Sequence, residues 1–196
     1  MIVGITGKKR SGKDTVAQFL VSEYGYYQYS MAGPLKKALK TLFLWDDWHI
    51  EVDKETVDPR WGISPRQAMQ HIGTEWAQYA LGDAFPRFKE TSGTKLWANR
   101  FREVYQGEFA VKNIRDVVIS DVRFPHEEEV IRDLGGKILR IHREAESSDA
   151  HASETNVDKI QADASITNDG SFEDLYELVK FAMTYFRNEQ EAELVR

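Results

Sequence analysis

The chain has 196 residues, enough for one domain with a substantial core, and nothing in its length demands a second. Hydrophobic residues make up 41% and charged residues 30%, a globular balance, and the formal charge of −6 argues against sequence-independent binding to duplex DNA, which needs a basic face. The absence of cysteine excludes disulfides, thiolate metal sites and thiol catalysis and fits a reducing compartment. No stretch approaches the ~20 apolar residues of a membrane-spanning helix, and the opening residues lack the charged-then-apolar order of an export signal, so a cytoplasmic protein without a membrane partner is expected.

In chain order, residues 2–6 are a short β-branched run ending at Gly7, which reads as a buried parallel strand feeding a turn. From Lys13 the apolar positions Val16, Ala17, Phe19, Leu20 and Tyr24 recur at helical spacing, and Gly25 sits where that helix would stop. Residues 26–31 predict a second strand, and Pro34 opens a helix to about Leu44. Residues 45–63, rich in Trp, Asp, Pro and Gly, read as irregular. Ser64 as N-cap and Pro65 at the first helical position then open a helix to about Leu81, with Ala68, Met69, Ile72, Trp76 and Tyr79 as its apolar stripe. Residues 82–93 read as loop and 95–105 as helix.

Residues 117–119 make a buried strand ending at Ser120 and Asp121, followed by a helix over 125–134 that stops at Gly135 and Gly136. Strands are expected at 137–142 and 162–167. The last helix begins near Ser171 with Phe172, Leu175, Leu178, Val179, Ala182 and Phe186 on one face, and its polar tail from Asn188 is expected to fray. Such alternation predicts an α/β fold, a parallel sheet covered on both faces, with ligands at the carboxyl ends of the strands. One domain is expected, with a core of residues 1–44 and 107–196 and a helical insertion at about 45–106.

Gly7 to Lys13 (GKKRSGK) satisfy GxxxxGK between a predicted strand and a predicted helix, the setting in which backbone N–H groups and the helix dipole converge on phosphate. Lys13 would bridge the β and γ phosphates of ATP and stabilise charge on the transferred group. Where the usual pattern places a Ser or Thr for magnesium, this chain has Asp14, with Thr15 next, so Thr15 is expected at a phosphate or the metal's water shell and Asp14 as an outer partner. Lys9 and Arg10 either touch phosphate or are solvated charges.

Asp121 at a strand end either anchors magnesium or the acceptor, or simply caps the helix that follows; Arg123 either clamps a phosphate or forms a surface pair. Arg66, on the helix that carries Gln70, could meet an acceptor phosphate, and Trp97 is either a base platform or core.

Taken in order, KRSGKDT (9–15), AGPLK (32–36), MQHIGT (69–74), Asp121 to Arg123, His126 with Glu127, and ITNDGS (166–171) resemble the deoxynucleoside monophosphate kinases of tailed bacteriophages over nearly the whole chain. The resemblance implies a P-loop NTPase fold of three α/β/α layers with a five-stranded parallel sheet, similar to nucleoside monophosphate kinases, with an acceptor-binding insertion and a small lid at about 143–160. It implies Lys9, Arg66, Gln70, Gly73, Trp97, Asp121, Arg123 and Glu127 around the deoxynucleotide, and Arg10, Ser11, Gly12, Lys13, Asp14 and Thr15 on the ATP phosphates. Asn168, Asp169 and Gly170 would lie near the adenine, and Arg143 would bring positive charge to the transition state beside Lys13, Asp121 and Arg123.

The implied reaction takes ATP, with Mg2+ as cofactor, and a deoxynucleoside monophosphate to ADP and the diphosphate, in deoxynucleotide supply for phage DNA replication. ATP and the deoxynucleotide are then the partners, without direct nucleic-acid binding, and a homodimer is compatible with the family. Two rivals stand beside this reading. A related small-molecule kinase acting on dephospho-coenzyme A or phosphomevalonate would share the loop, whereas a nucleotide-switched binding protein would carry an NKxD segment, which is missing.

Overall fold

The computed structural model describes residues 1–143 and 156–194. They form two compact units, one of residues 1–29 with 102–196 and one of residues 30–101. The second unit thus takes in the helix at 33–43, ahead of position 45 where the insertion was expected to begin. Of the stretch expected as a lid, residues 144–155 lie outside the described residues.

The first unit is built on five parallel strands, β1 (Ile2–Thr6), β2 (Tyr27–Tyr29), β3 (Val117–Ile119), β4 (Lys137–His142) and β5 (Ala164–Thr167), in the order β2-β3-β1-β4-β5. Every residue of β1 and β3 is buried, as expected of central parallel strands with both faces covered, whereas the edge strands β2 and β5 are mostly exposed. Pairings Gly4↔Ile119 and Gly4↔Ile138 place β1 between β3 and β4, so the turn after β1 sits where the strand order reverses. In open parallel sheets that is where ligands bind.

Side-chain alternation sorts the core onto two faces. Val3, Ile5, Val118, Leu139, Ile141 and Ile166 meet α1 (Lys13–Tyr24) and the long C-terminal helix Phe172–Leu194, through Val16, Ala17, Leu20, Leu175, Val179, Met183 and Phe186. On the other face, a Cβ at Gly4 would lie 2.8 Å from Ile131 of the helix Pro125–Asp133 and 2.7 Å from Ile138. The backbone there needs a residue without a side chain to let that helix approach. The three-layer α/β/α expectation holds.

The last helix departs from its predicted face: Phe172 is 65% and Leu178 41% exposed, and Met183 is buried in their place. At 100° per residue the stripe through Leu175, Val179, Ala182 and Phe186 leaves Leu178 on the flank. The helix continues past Asn188 to Leu194, with Glu189 held by the Tyr185 hydroxyl at 2.6 Å and by Lys137 at 3.3 Å. At the edges, β2 and β5 are shorter than predicted. Tyr26 turns into the core, and Asp163 instead accepts from Arg132 and from the Ile138 N–H.

The second unit contains α2 (Gly33–Phe43), a π turn at Trp48–Val52, and α3 (Pro65–Gln70), which continues with i→i+5 bonding through His71–Ala80 into α4 (Leu81–Ala84). Then come α5 (Pro86–Thr91) and α6 (Leu96–Val104). Ser64 caps α3 as predicted, through a reciprocal box with Gln67. The expected loop at 82–93 is a correction: Phe85 takes an extended conformation before Pro86, which restarts a helix at its first position. The predicted irregular stretch at 45–63 likewise holds the π turn at 48–52, and its Ile50 is buried with Leu35, Leu39, Trp45 and Ala68 in a small core. No helix among the described residues is long and apolar enough to cross a membrane.

With the Phe186 ring fully buried between the last helix and the sheet, Phe186→Ala is expected to cost about 3–5 kcal/mol of unfolding free energy. The check is a urea titration, with the midpoint lowered and the slope unchanged.

Candidate active site

The loop after β1 has backbone torsions that its sequence anticipates. Gly7 has φ +149 and Gly12 φ +101, and a Cβ at Gly7 would stand 2.4 Å from the carbonyl oxygen of Ile141 in β4. Arg10 is left-handed as well, at φ +66. Within the loop the Ser11 N–H donates to the Lys8 carbonyl at 3.2 Å, and Lys13 Nζ folds back to the carbonyls of Gly7 and Lys8, each at 2.7 Å. Gly12 is the N-cap of α1 and offers no side-chain cap, so the first-turn N–H groups face outward with the positive end of the helix dipole. Ser11 is 2% exposed, and its hydroxyl has no hydrogen-bond partner among the described residues.

These elements frame a cleft of about 450 Å³ lined by Arg10, Gly12, Lys13, Asp14, Thr15, Arg143, Asn168, Gly170, Ser171 and Phe172. Eight of these are residues expected on the ATP side or at the transition state. Ser11 lies buried in the loop and Asp169 is exposed, both outside the lining. Ser171 and Phe172 were missed as site residues. An aromatic directly after the NDGS turn was the available signal, but helical periodicity assigned Phe172 to the core. The turn is closed by a reciprocal cap in which Ser171 N–H donates to Asp174 at 2.9 Å and Asp174 N–H to the Ser171 hydroxyl at 3.2 Å. Among the described residues no cluster of three or more His, Cys, Asp or Glu could hold a metal ion. The side chains that bring hard oxygen donors to the cleft are Asp14, Thr15, Asn168 and Ser171.

At the end of β3, Asp121 and Arg123 are half-exposed on a turn organised by Glu127. Glu127 Oε2 accepts from the Arg123 N–H at 2.7 Å and the Phe124 N–H at 3.0 Å, and Phe124 is the N-cap of the helix Pro125–Asp133, which becomes α7. Glu127, the third residue of that helix, thus satisfies the N–H groups of the N-cap and of the residue before it. Lys9 is half-buried in the phosphate loop.

The remaining expected residues belong to the second unit. Arg66 pairs with Glu55 at 3.0 Å, and Gln70 is half-buried at the end of α3. Gly73 and Trp97 come together: the indole N–H donates to the Gly73 carbonyl at 2.8 Å, and a Cβ at Gly73 would lie 2.6 Å from Leu35. Trp97 packs against the small core, so both its ring and its N–H serve the unit's own structure.

Glu127 is 3% exposed, and burial, more than the two N–H donors can offset, pushes its pKa up to about 8, with nearby Asp121 adding to the rise. In the unfolded chain the same carboxyl titrates near ~4.3. Its contribution to stability is complete below that value and is lost as pH rises toward about 8, because the unfolded state gives up the proton first. Glu127→Gln keeps a carbonyl oxygen for both N–H donors and should remove this slope. Unfolding free energies at pH 5 and pH 8.5 check it: the variant should gain on the parent at the higher pH, and parallel profiles would reject the assignment.

The profile of the deoxynucleotide monophosphate kinase family matches residues 1–58 and 49–179 of the chain. A protein of Acanthamoeba polyphaga mimivirus provisionally named for the same family is 37% identical over 183 residues, covering 90% of this chain and 92% of its own. The deoxynucleotide monophosphate kinase of Enterobacteria phage T4 is 25% identical over 235 aligned positions, covering 91% and 97%. Among solved structures, the shikimate kinase of Aquifex aeolicus vf5 aligns with a TM-score of 0.49 and 14% identity, covering 94% of this chain and 96% of that one. With the family profile spanning both units and a phosphate loop of the required geometry after β1, the chain belongs to the deoxynucleotide monophosphate kinase family of phosphotransferases.

Proposed function

We propose that this chain transfers the γ-phosphoryl group of ATP to a deoxynucleoside monophosphate, releasing ADP and the deoxynucleoside diphosphate. The observation that carries the reading is the cleft at the end of β1, where Lys13, Arg10 and Arg143 gather around a capless helix start with Asp14 as the only carboxylate among the described residues of the lining. Three cations and a row of outward N–H groups suit a triphosphate.

In the transfer an oxygen of the acceptor's phosphate attacks the γ phosphorus as the bond to the ADP oxygen breaks. That nucleophile is already ionised, so the reaction needs no general base, and positioning and charge neutralisation do the rest. Lys13 exchanges its carbonyl partners for the β and γ oxygens, and Arg10 and Arg143 meet charge spread over the γ group. Asp14 and Thr15 fit magnesium held largely through water, and the bound ion would neutralise charge across the phosphates. The exposed ring of Phe172 offers the donor base a stacking face. On the acceptor side, Lys9, Asp121 and Arg123 are the proposed contacts, with Glu127 holding the turn of Asp121 and Arg123; Gly73 and Trp97 shape the second unit.

A panel of acceptors with γ-labelled ATP tests the reading. Labelled deoxynucleoside diphosphate is expected, whereas label passing only to dephospho-coenzyme A, to phosphomevalonate or to free phosphate would overturn it. Lys13→Ala should lower the rate by ~10³-fold with the fold intact, and an equal turnover of the two proteins would reject its role. Phe172→Ala should raise KM for ATP by about tenfold and leave the acceptor KM unchanged, the pattern of a lost base-stacking surface.

A further inference from the structure

The phosphate loop is tied to the opposite end of the chain by one side chain. Asn168 follows the last residue of β5 and is 9% exposed, and its backbone N–H donates to the His142 carbonyl at 2.7 Å, carrying the β4–β5 ladder one step past the sheet. Its Nδ2 then donates to the carbonyl oxygen of Ser11 at 2.9 Å, across 157 positions of sequence.

The Ser11 carbonyl and the Gly12 N–H belong to one planar trans peptide and point in opposite directions. Whatever fixes the carbonyl fixes the aim of the amide. That hold matters because the peptide lies between two left-handed residues, Arg10 at φ +66 one position before Ser11, and Gly12 at φ +101. Glycine passes readily between backbone regions that other residues avoid. The packing is equally close: a Cβ at Gly12 would stand 2.4 Å from Asn168 Nδ2.

We propose that Asn168 is a positioning residue for the donor phosphates, its amide locking the Ser11–Gly12 peptide so that the loop presents its N–H groups to a polyphosphate whatever base that polyphosphate carries. This moves Asn168 from the neighbourhood of the adenine to the phosphate machinery. One Nδ2 hydrogen is engaged with Ser11, and through that bond the residue works through the loop instead of through the nucleoside. The inference rests on the cleft being the ATP site.

The test compares MgATP with magnesium tripolyphosphate, which has the phosphates and no base, by calorimetry on the full chain, on Asn168→Ala and on Asn168→Asp. Both ligands should weaken in parallel, by about tenfold for the alanine variant, the loss of one hydrogen bond, and further for the aspartate variant. The aspartate is isosteric but turns an oxygen toward the Ser11 carbonyl and adds charge beside the phosphates. In steady state KM for ATP should rise with the acceptor KM unchanged, a split that a simple loss of folded protein would not produce. Weakened ATP with unaltered tripolyphosphate would overturn the proposal in favour of base reading, and unaltered affinity for both would overturn it outright. Should the alanine variant fail to fold, the isosteric aspartate carries the comparison. A parent chain that bound neither ligand would instead sink the ATP reading itself, a result separate from the other two.

Discussion

Gly7 and Gly12 bracket a loop with no room for a side chain at either end, one closed off by the Ile141 carbonyl of β4 and the other by the Asn168 amide after β5. The cleft after β1 depends on this confinement. A backbone with three residues in the left-handed or adjoining region holds one shape only when its surroundings over-determine it, and here the surroundings are strand ends that pair with each other. Lys13, tethered to two carbonyls of the same loop, adds an internal brace that phosphate would replace.

The sheet supplies that rigidity by its order. Since β1 lies between β3 and β4, the loop after β1, the Asp121 turn after β3 and the Asn168 turn after β5 all leave the sheet from the same edge. Parallel strands point their carboxyl ends one way, so residues far apart in sequence reach one rim without any being adapted to the others. At the Asp121 turn a buried carboxyl, Glu127, accepts from the N–H groups of Arg123 and Phe124, and burial raises its pKa well above the usual carboxylate range. Arg132 ties α7 to the approach to β5, pairing with Glu128 and Asp163 at 2.9 Å each.

The second unit follows a different logic. Its core is small and its anchors are polar contacts made by large aromatic residues: Trp45 Nε1 donates to Asp58 at 2.7 Å, Arg60 clamps the same carboxylate, and Trp97 holds Gly73. Hydrogen-bonded indoles add direction where apolar area alone would leave the helices free to slide. Arg66, near the start of α3, is steadied there by Glu55.

How much was legible in the sequence follows from the range of the forces involved. The phosphate loop, the Ser64 cap and the stop at Gly25 were readable because each rests on torsions or hydrogen bonds among residues within a few positions of one another, and the central strands because a short β-branched apolar run marks a strand buried on both faces. The helix at 86–91 was written in Pro86 but hidden by the polar composition around it. Phe172 was misplaced because a periodic stripe cannot tell core from cleft at the first turn of a helix. Trp97 offered two readings that only its bond to Gly73 could weigh, and the hold of Glu127 on the turn before α7 was not readable for a similar reason. By itself the sequence determined the local chemistry: a glycine-bracketed anion loop on a parallel strand, with a lysine at its end. Tertiary structure alone decided which distant groups complete it, placing Asn168 against Ser11 and Ile141 against Gly7, because strand order, which brings those ends together, is set by packing across the whole sheet and by no contiguous stretch of chain.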